Sequence, residues 1–320
     1  MGRFGYWLVG VAALFLNGCA FVSLVPPVSP LQETVIEGEG KPKVLLVDIS
    51  GIISEKEKGG VLKEQPSLVA ELKESLQKAQ KDEDIAAVIV RINSPGGTVT
   101  ASDIIHHEIQ AFKARKKVPV YACIMGIGTS GGYYVASAAD RIFAHPTAVT
   151  GSIGVLLMRF EVDGLLAKIG VNEKTVKSGD KKDILSPFRT ATPEEEKIIQ
   201  EVINQLYGRF IDVVMARPGN RLSRKELETL ADGRPYTAQQ ALAAQLIDRI
   251  GYLDDVVEAV KKTLGIEQAK VVSYHRPGSY RGTIYSGAAA TDIHTVNLVN
   301  FTVDGMEMFT ESGFMYLWKP

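Results

Sequence analysis

Cysteine is nearly missing from this chain: Cys19 and Cys123 are the whole supply in 320 residues. One lies in an apolar leader and the other in a strand-like run, so neither a disulfide framework nor a zinc-type Cys/His spacing can be built. Charge of one sign is lacking too. Lys plus Arg number 36 against 37 Asp plus Glu, a net charge of −1, and no basic stripe occurs, which excludes an electrostatic nucleic-acid binder. There is no phosphate-cradling P-loop and no internal repeat, and nothing calls for a metal or cofactor. What remains is ordinary globular composition, 45% hydrophobic and 23% charged, enough to bury a sizeable core.

The longest uncharged apolar segment is amino-terminal. Arg3 is followed by the apolar stretch Gly5–Leu16 and then Asn17-Gly18-Cys19. One positive charge, a short apolar core and a small residue before Cys19 read as a secretory signal. The segment is similar to a bacterial lipoprotein cleavage box with Cys19 as the lipidated first residue, although Asn17 departs from the small or aliphatic residue usual there. An uncleaved anchor is the alternative, because Gly5 to Val25 carry no charge and ~20 apolar residues span a bilayer. Residues 1–25 are therefore expected to be a signal or membrane anchor, and 26–42, with Pro26, Pro27 and Pro30, a linker. Everything after Glu33 is then expected to lie outside the cytoplasm, since Arg3 stays inside.

From residue 43 onward strand-like and helix-like segments alternate. Val44–Ile49, Ile85–Ile92, Val118–Ile124 and Arg141–Ala144 read as strands; Ser67–Gln80, Val99–Phe112 and about Ser130–Ala139 read as helices. That alternation predicts βαβ units and a parallel sheet, an α/β fold. After residue 192 the chain turns helical, starting at Thr192-Pro193-Glu194-Glu195 with proline in the first turn and acids at the positive dipole end. Further helices are expected at 223–231, 237–246 and 253–264, then a strand at 270–274. Residues 276–320 show no sustained period and read as a flexible tail, except that Phe314–Trp318 is apolar enough to dock.

Two serine-bearing segments and one lysine-bearing segment carry chemistry. Ser130 sits in Gly128-Thr129-Ser130-Gly131-Gly132 after a strand and before a helix, where glycines leave a hydroxyl accessible and a helix start favours a developing alkoxide. A helix-capping serine is the plain alternative. Ser94-Pro95-Gly96-Gly97 ends another strand, and its backbone N–H groups could serve an oxyanion or simply make a turn. Lys182, in Lys177-Ser178-Gly179-Asp180-Lys181-Lys182-Asp183, could act as a base only if burial lowered its pKa by ~3 units. Residues 176–183 read as extended, which would point Lys181 and Lys182 to opposite sides, with Lys181 in a surface ion pair.

Taken together, Arg91-Ile-Asn-Ser-Pro-Gly-Gly97, Thr129-Ser-Gly-Gly-Tyr-Tyr-Val-Ala136, Thr150-Gly-Ser-Ile-Gly-Val155, Lys177-Ser-Gly-Asp-Lys-Lys-Asp183 and Ala231-Asp-Gly-Arg-Pro-Tyr236 resemble the signal peptide peptidase A family, in order, across roughly residues 43–264. The resemblance implies a crotonase-like, Clp-protease-like spiral of ββα units with a C-terminal helical region, in a short single-copy form, as a peptidase domain over 43–275. It implies a Ser–Lys dyad serine peptidase with Ser130 as nucleophile, Lys182 as general base and Ser152 orienting the lysine. Gly96, Gly97 and Gly131 are the implied oxyanion and substrate-binding positions. Lys181 is charged where a histidine or neutral residue is common, which allows the lysine assignment to slip by one position. The resemblance also implies a homo-oligomeric ring with sites at subunit contacts, and apolar peptides such as cleaved signal peptides as substrates.

Two rivals stand beside this reading. An α/β-hydrolase triad would use Ser130, Asp248 or Asp254, and His275, in the chain order such enzymes use. His106 and His107 look like surface residues on a helix. The second rival is a crotonase-type acyl-CoA enzyme or a binding scaffold, for which neither Ser130 nor Lys182 has a role.

Overall fold

The computed structural model describes residues 28–60, 63–277, 283–284 and 313–318. The signal or anchor expected over residues 1–25, with Cys19, lies outside the described residues, as does most of the tail. Among the described residues no helix is long and apolar enough to cross a membrane.

Thirteen strands are described: β1 (Gln32–Glu37), β2 (Lys43–Ser50), β3 (Lys58–Gly60), β4 (Lys63–Gln65), β5 (Ile85–Ser94), β6 (Gly96–Thr98), β7 (Val120–Thr129), β8 (Arg141–Ala144), β9 (Val149–Gly151), β10 (Pro235–Thr237), β11 (Arg249–Ile250), β12 (Lys270–His275) and β13 (Met315–Leu317). The helices are α1 (Leu68–Lys81), α2 (Val99–Lys116), α3 (Gly131–Ala136), α4 (Asp163–Lys168), α5 (Pro193–Met215), α6 (Arg224–Leu230), α7 (Ala238–Ala243) and α8 (Leu253–Leu264). The main sheet runs β1-β12-β2-β5-β7-β8-β11, with β9 pairing both β7 and β10. β2, β5, β7, β8 and β12 are mutually parallel, while β1 joins antiparallel at the edge.

Side-chain alternation divides the core. Leu45, Val47, Ile49, Val88, Val90, Ile92, Val120, Ala122 and Ile124 share one cluster with residues of α1, α2, α3 and α5. Val44, Leu46, Ala87, Ile89, Tyr121 and Cys123 point the other way, onto Leu253, Val256, Val257 and Val260 of α8. Both faces being covered is why these strands read as nearly unbroken apolar runs. Helix starts follow local chemistry: Ser67 and Thr98 cap α1 and α2, and Thr192 with Glu195 forms a capping box on α5.

Three expectations need correction. Residues 32–37 of the supposed linker are a sheet strand, because β12 would otherwise leave an unpaired edge. Residues 176–183 are not extended: 178–185 form bends and turns, with the Lys182 N–H bonding the Gly179 carbonyl at 3.1 Å. The alternation argument that separated Lys181 from Lys182 therefore does not hold. Finally, the flexible tail read over residues 276–320 is interrupted: as expected of the apolar run Phe314–Trp318, Met315–Leu317 docks, as a buried strand, β13, paired antiparallel with β6.

The segment between β9 and α5 is pinned at its end by charge. Arg189 donates to Asp183 (2.8 Å) and to Glu195 (2.7 Å), and the Thr192 N–H donates to Glu195 at 2.9 Å. Arg189, then the Thr192 N–H, holds the Glu195 carboxyl down to about 2, from an ordinary value of 4.5. A carboxyl lowered on folding stabilises the fold fully above its unfolded value and ceases to do so as pH falls through the folded one. Peptic cleavage within residues 178–192 is therefore expected to rise steeply as pH falls from 4.5 to about 2; a flat profile would contradict the pinning role.

Candidate active site

The site forms where β7 and β9 end together. Their parallel register sets Gly128 against Thr150 and Thr129 against Gly151, and the Ser130 N–H donates to the Gly151 carbonyl at 2.7 Å. This pairing brings Ser130 and Ser152 to neighbouring strand ends. Both serines are buried, at 1% and 6% exposure. Both also hold positive φ, 52° for Ser130 and 49° for Ser152. A non-glycine residue there stores roughly 1–3 kcal/mol of backbone strain, which persists only where the surroundings enforce it. Ser130 occupies the N-cap position of α3 without making a side-chain cap bond. Its hydroxyl is thus not consumed by the helix, contrary to the capping alternative.

The Gly96–Gly97 segment packs against Gly131, the residue after Ser130: a Cβ added to Gly131 would stand 3.1 Å from the Gly96 Cα. Gly96, at φ +109°, donates to the Ser94 hydroxyl (3.1 Å), and its carbonyl accepts from the Ile53 N–H (2.9 Å). Gly97 packs so closely on Ile53 that an added Cβ would stand 1.8 Å from the Ile53 oxygen. The Gly96 N–H is taken by Ser94 and the Thr98 N–H by the Ile53 carbonyl, so strand alternation leaves the Gly97 N–H on the side of β6 away from Ile53.

That side is occupied by β13, with Tyr316 opposite Gly97. The Val99 N–H donates to Phe314 at 3.2 Å and the Trp318 N–H to Pro95 at 2.9 Å. Antiparallel ladders alternate hydrogen-bonded and open pairs, so the Gly97–Tyr316 pair between these two bonds is also a hydrogen-bonded one. The Tyr316 carbonyl oxygen lies 2.0 Å from where a Gly96 Cβ would sit, and the Gly131 nitrogen lies 2.8 Å from the same point. One carbonyl oxygen therefore faces the backbone of Gly97 and Gly131 together. The Gly97 N–H and the nearby Gly131 nitrogen are the candidate donors to a tetrahedral oxyanion at that place. On the far flank of β13, Leu156 and Met315 exchange hydrogen bonds of 3.1 and 3.0 Å.

Lys182 makes no hydrogen bond to this cluster among the described residues, and it is exposed on the turn at 178–185. Lys181 is engaged elsewhere: its amine donates to Glu194 at 2.7 Å, and that bond raises its pKa. An amine held charged by a carboxylate is a poor base. The segment carrying both lysines exposes Phe160, Leu165, Ile169, Val176 and Phe188, with Val176 wholly uncovered.

The triad alternative fails on topology. His275 ends β12, three strand intervals from β7, or about 14 Å at ~4.8 Å per interval. Its ring bonds Thr34 (2.7 Å) and the Arg276 carbonyl (3.0 Å) instead. Asp248 accepts from Arg217 and from the Ile142 N–H, an internal structural role. His106 is not a surface residue either. It packs edge-on against Tyr134 at 5.4 Å, and desolvation lowers its pKa to about 4. Among the described residues no cluster of His, Cys, Asp and Glu could hold a metal. The partners of the site that sequence reasoning missed are Ile53, Leu156 and Tyr316; only the apolar run Met315–Leu317 gave a signal.

Family models match in the same region: Peptidase family S49 over residues 112–267 and Clp protease over 63–150. A protein of Enterococcus faecium named as a signal peptide peptidase, SppA, is 34% identical over 243 residues, covering 76% of this chain and 70% of that protein. A protease of Synechocystis is 36% identical over 231 residues, covering 72% of this chain and 78% of its own. Among solved structures, a mutant of the 1510-N membrane-bound stomatin-specific protease gives a TM-score of 0.45 at 16% identity, over 69% of this chain and 85% of that one. With a mostly parallel sheet of the Clp-protease, crotonase-like kind, the chain belongs to peptidase family S49 and is a serine peptidase of the signal peptide peptidase type.

Proposed function

We propose that this serine peptidase works through a Ser–Lys dyad assembled between copies of the chain. Ser130 is the nucleophile, and Lys182 of a neighbouring copy is the base. Ser152, beside Ser130, orients the arriving amine. The observation that carries the reading is the Ser130 elbow itself: a buried, strained serine without a cap bond, beside the Gly96–Gly97 and Gly131 backbone, with no lysine hydrogen-bonded to it among the described residues. The exposed apolar residues around Lys182 support delivery by a partner, because covering them would also exclude water from the amine. Such head-to-tail contacts close into a ring when the rotation permits.

The step runs as acyl transfer. The amine takes the Ser130 hydroxyl proton while the oxygen attacks the peptide carbonyl carbon. The Gly97 and Gly131 N–H groups hold the oxyanion. The carbon–nitrogen bond breaks as the amine returns its proton to the leaving nitrogen, and water then hydrolyses the ester to release acid and free serine. Substrate lies extended along β6, gaining main-chain hydrogen bonds. Apolar peptides, such as signal peptides left after secretion, fit that groove, and Cys19 or the adjoining apolar run would hold the enzyme at the membrane outside the cytoplasm.

A fluorophosphonate probe is expected to label Ser130, and Ser130→Ala to lower hydrolysis of an apolar fluorogenic peptide by at least ~10³-fold. Retained hydrolysis in that variant would end the proposal. The mass of the mature amino terminus tests the attachment: an unmodified, complete terminus in the soluble fraction contradicts it.

A further inference from the structure

We propose that Ser94 is a positioning residue for the oxyanion site: its hydroxyl locks the peptide unit between Gly96 and Gly97 so that the Gly97 N–H faces the reacting carbonyl. This deepens the peptidase reading and rests on it. A peptide unit is planar and trans, so its C=O and its N–H point in opposite directions. The direction of the Gly97 N–H is therefore set by whatever holds the Gly96 carbonyl. Two donors hold it, the Ile53 N–H at 2.9 Å and the Ser94 hydroxyl at 3.3 Å. The same hydroxyl accepts from the Gly96 N–H at 3.1 Å. One side chain thus bonds both peptide units that flank Gly96.

A lock is needed because both residues of this unit are glycines. With no Cβ on either side, little disfavours the flipped peptide, which would turn the Gly97 N–H toward Ile53 and the Gly96 oxygen toward the reaction. An oxygen there repels the developing negative charge that an N–H would stabilise. Ser94 is placed to prevent this. It is wholly buried, so water does not compete for its hydroxyl. It ends β5 opposite Gly128 of β7 and packs on the start of α3. A Cβ added to Gly132 would stand 2.8 Å from the Ser94 carbonyl oxygen and 3.6 Å from the Ser94 Cβ. Ser94 therefore ties the Gly96–Gly97 turn to the elbow that carries Ser130.

The test uses the full chain with two variants. Ser94→Ala removes the hydroxyl, and Ser94→Cys keeps a weaker donor and acceptor. With an apolar fluorogenic peptide, kcat is expected to fall about 10-fold in Ser94→Ala and by less in Ser94→Cys, with KM within about 2-fold. The loss stays below the roughly 10²–10³-fold of a missing oxyanion donor, because the Ile53 N–H still holds the Gly96 carbonyl. A peptide aldehyde reads the same site directly. Ser130 adds to its carbonyl carbon, the hydroxyl proton passes to the base, and the aldehyde oxygen takes the oxyanion position. That aldehyde should bind Ser94→Ala about 10-fold more weakly, whereas the matching peptide alcohol, which forms no adduct, should bind both forms equally. A lowered melting temperature with aldehyde and alcohol weakened alike makes Ser94 merely structural and overturns the proposal. Unchanged kcat in Ser94→Ala, with Ser130 still labelled by fluorophosphonate, also overturns it and leaves the peptidase reading standing. Absence of labelling and hydrolysis in the unaltered chain overturns both.

Discussion

Mixing inactive Ser130→Ala chains with inactive Lys182→Ala chains is expected to restore peptidase activity. In an assembly with head-to-tail contacts each site takes its serine from one copy and its lysine from the next. Random mixing in equal amounts then leaves about a quarter of sites with both groups intact. If both groups came from the same chain, no mixture could regain activity. The physical basis is the exposure of Lys182 in the single chain, beside apolar residues as exposed as Val176, while Ser130 is buried. The companion Lys181→Ala should retain most activity, because that amine is already paired with Glu194. Activity measured on subunits refolded together settles the matter, and a mixture as inactive as its parents would sink the shared site.

Gly96→Ala is expected to remove nearly all turnover while leaving Ser130 in place. The added Cβ would stand 2.0 Å from the carbonyl oxygen now at the site and 2.8 Å from the Gly131 nitrogen. Both contacts are with backbone, which cannot swing aside as a flexible side chain would. The methyl group thus fills the space that a substrate carbonyl must enter to reach its donors. Losing one oxyanion donor lowers turnover by about 10²–10³-fold, and blocking the hole should do at least as much. The φ of +109° adds strain of roughly 1–3 kcal/mol on top. Turnover and a urea melt on the same variant separate the two effects. Near-normal turnover would remove Gly96 from the groove and the oxyanion assignment with it.

The parallel strands were legible because both faces of the sheet are covered, so Val44–Ile49 and Ile85–Ile92 appear as unbroken apolar runs. Helix starts were legible at Ser67, Thr98 and Thr192, because capping is a contact between residues three apart in sequence. β1 and β13 were not legible. Val35 is half exposed on an edge strand, and the three residues of β13 are too few to establish a period. The turn around Lys182 is not legible as a turn, since the partners of Lys181 and Asp183, Glu194 and Arg189, lie further along the chain.

Within the site the same division holds. The residue types and glycine spacing around Ser130 announced a nucleophile elbow, since a reachable hydroxyl between two strand–helix neighbours depends on adjacent residues. Ser152 entered the site only through the family resemblance, because its place beside Ser130 depends on how β7 and β9 align. Nor could the order of residues tell that Tyr316, far along the chain, lies against Gly96 and Gly131. Local sequence determined which groups could react and where helices begin, because those are short-range preferences. Which groups meet was decided by strand register and burial, because hydrogen-bonded pairing and packing act between segments that the linear order keeps far apart.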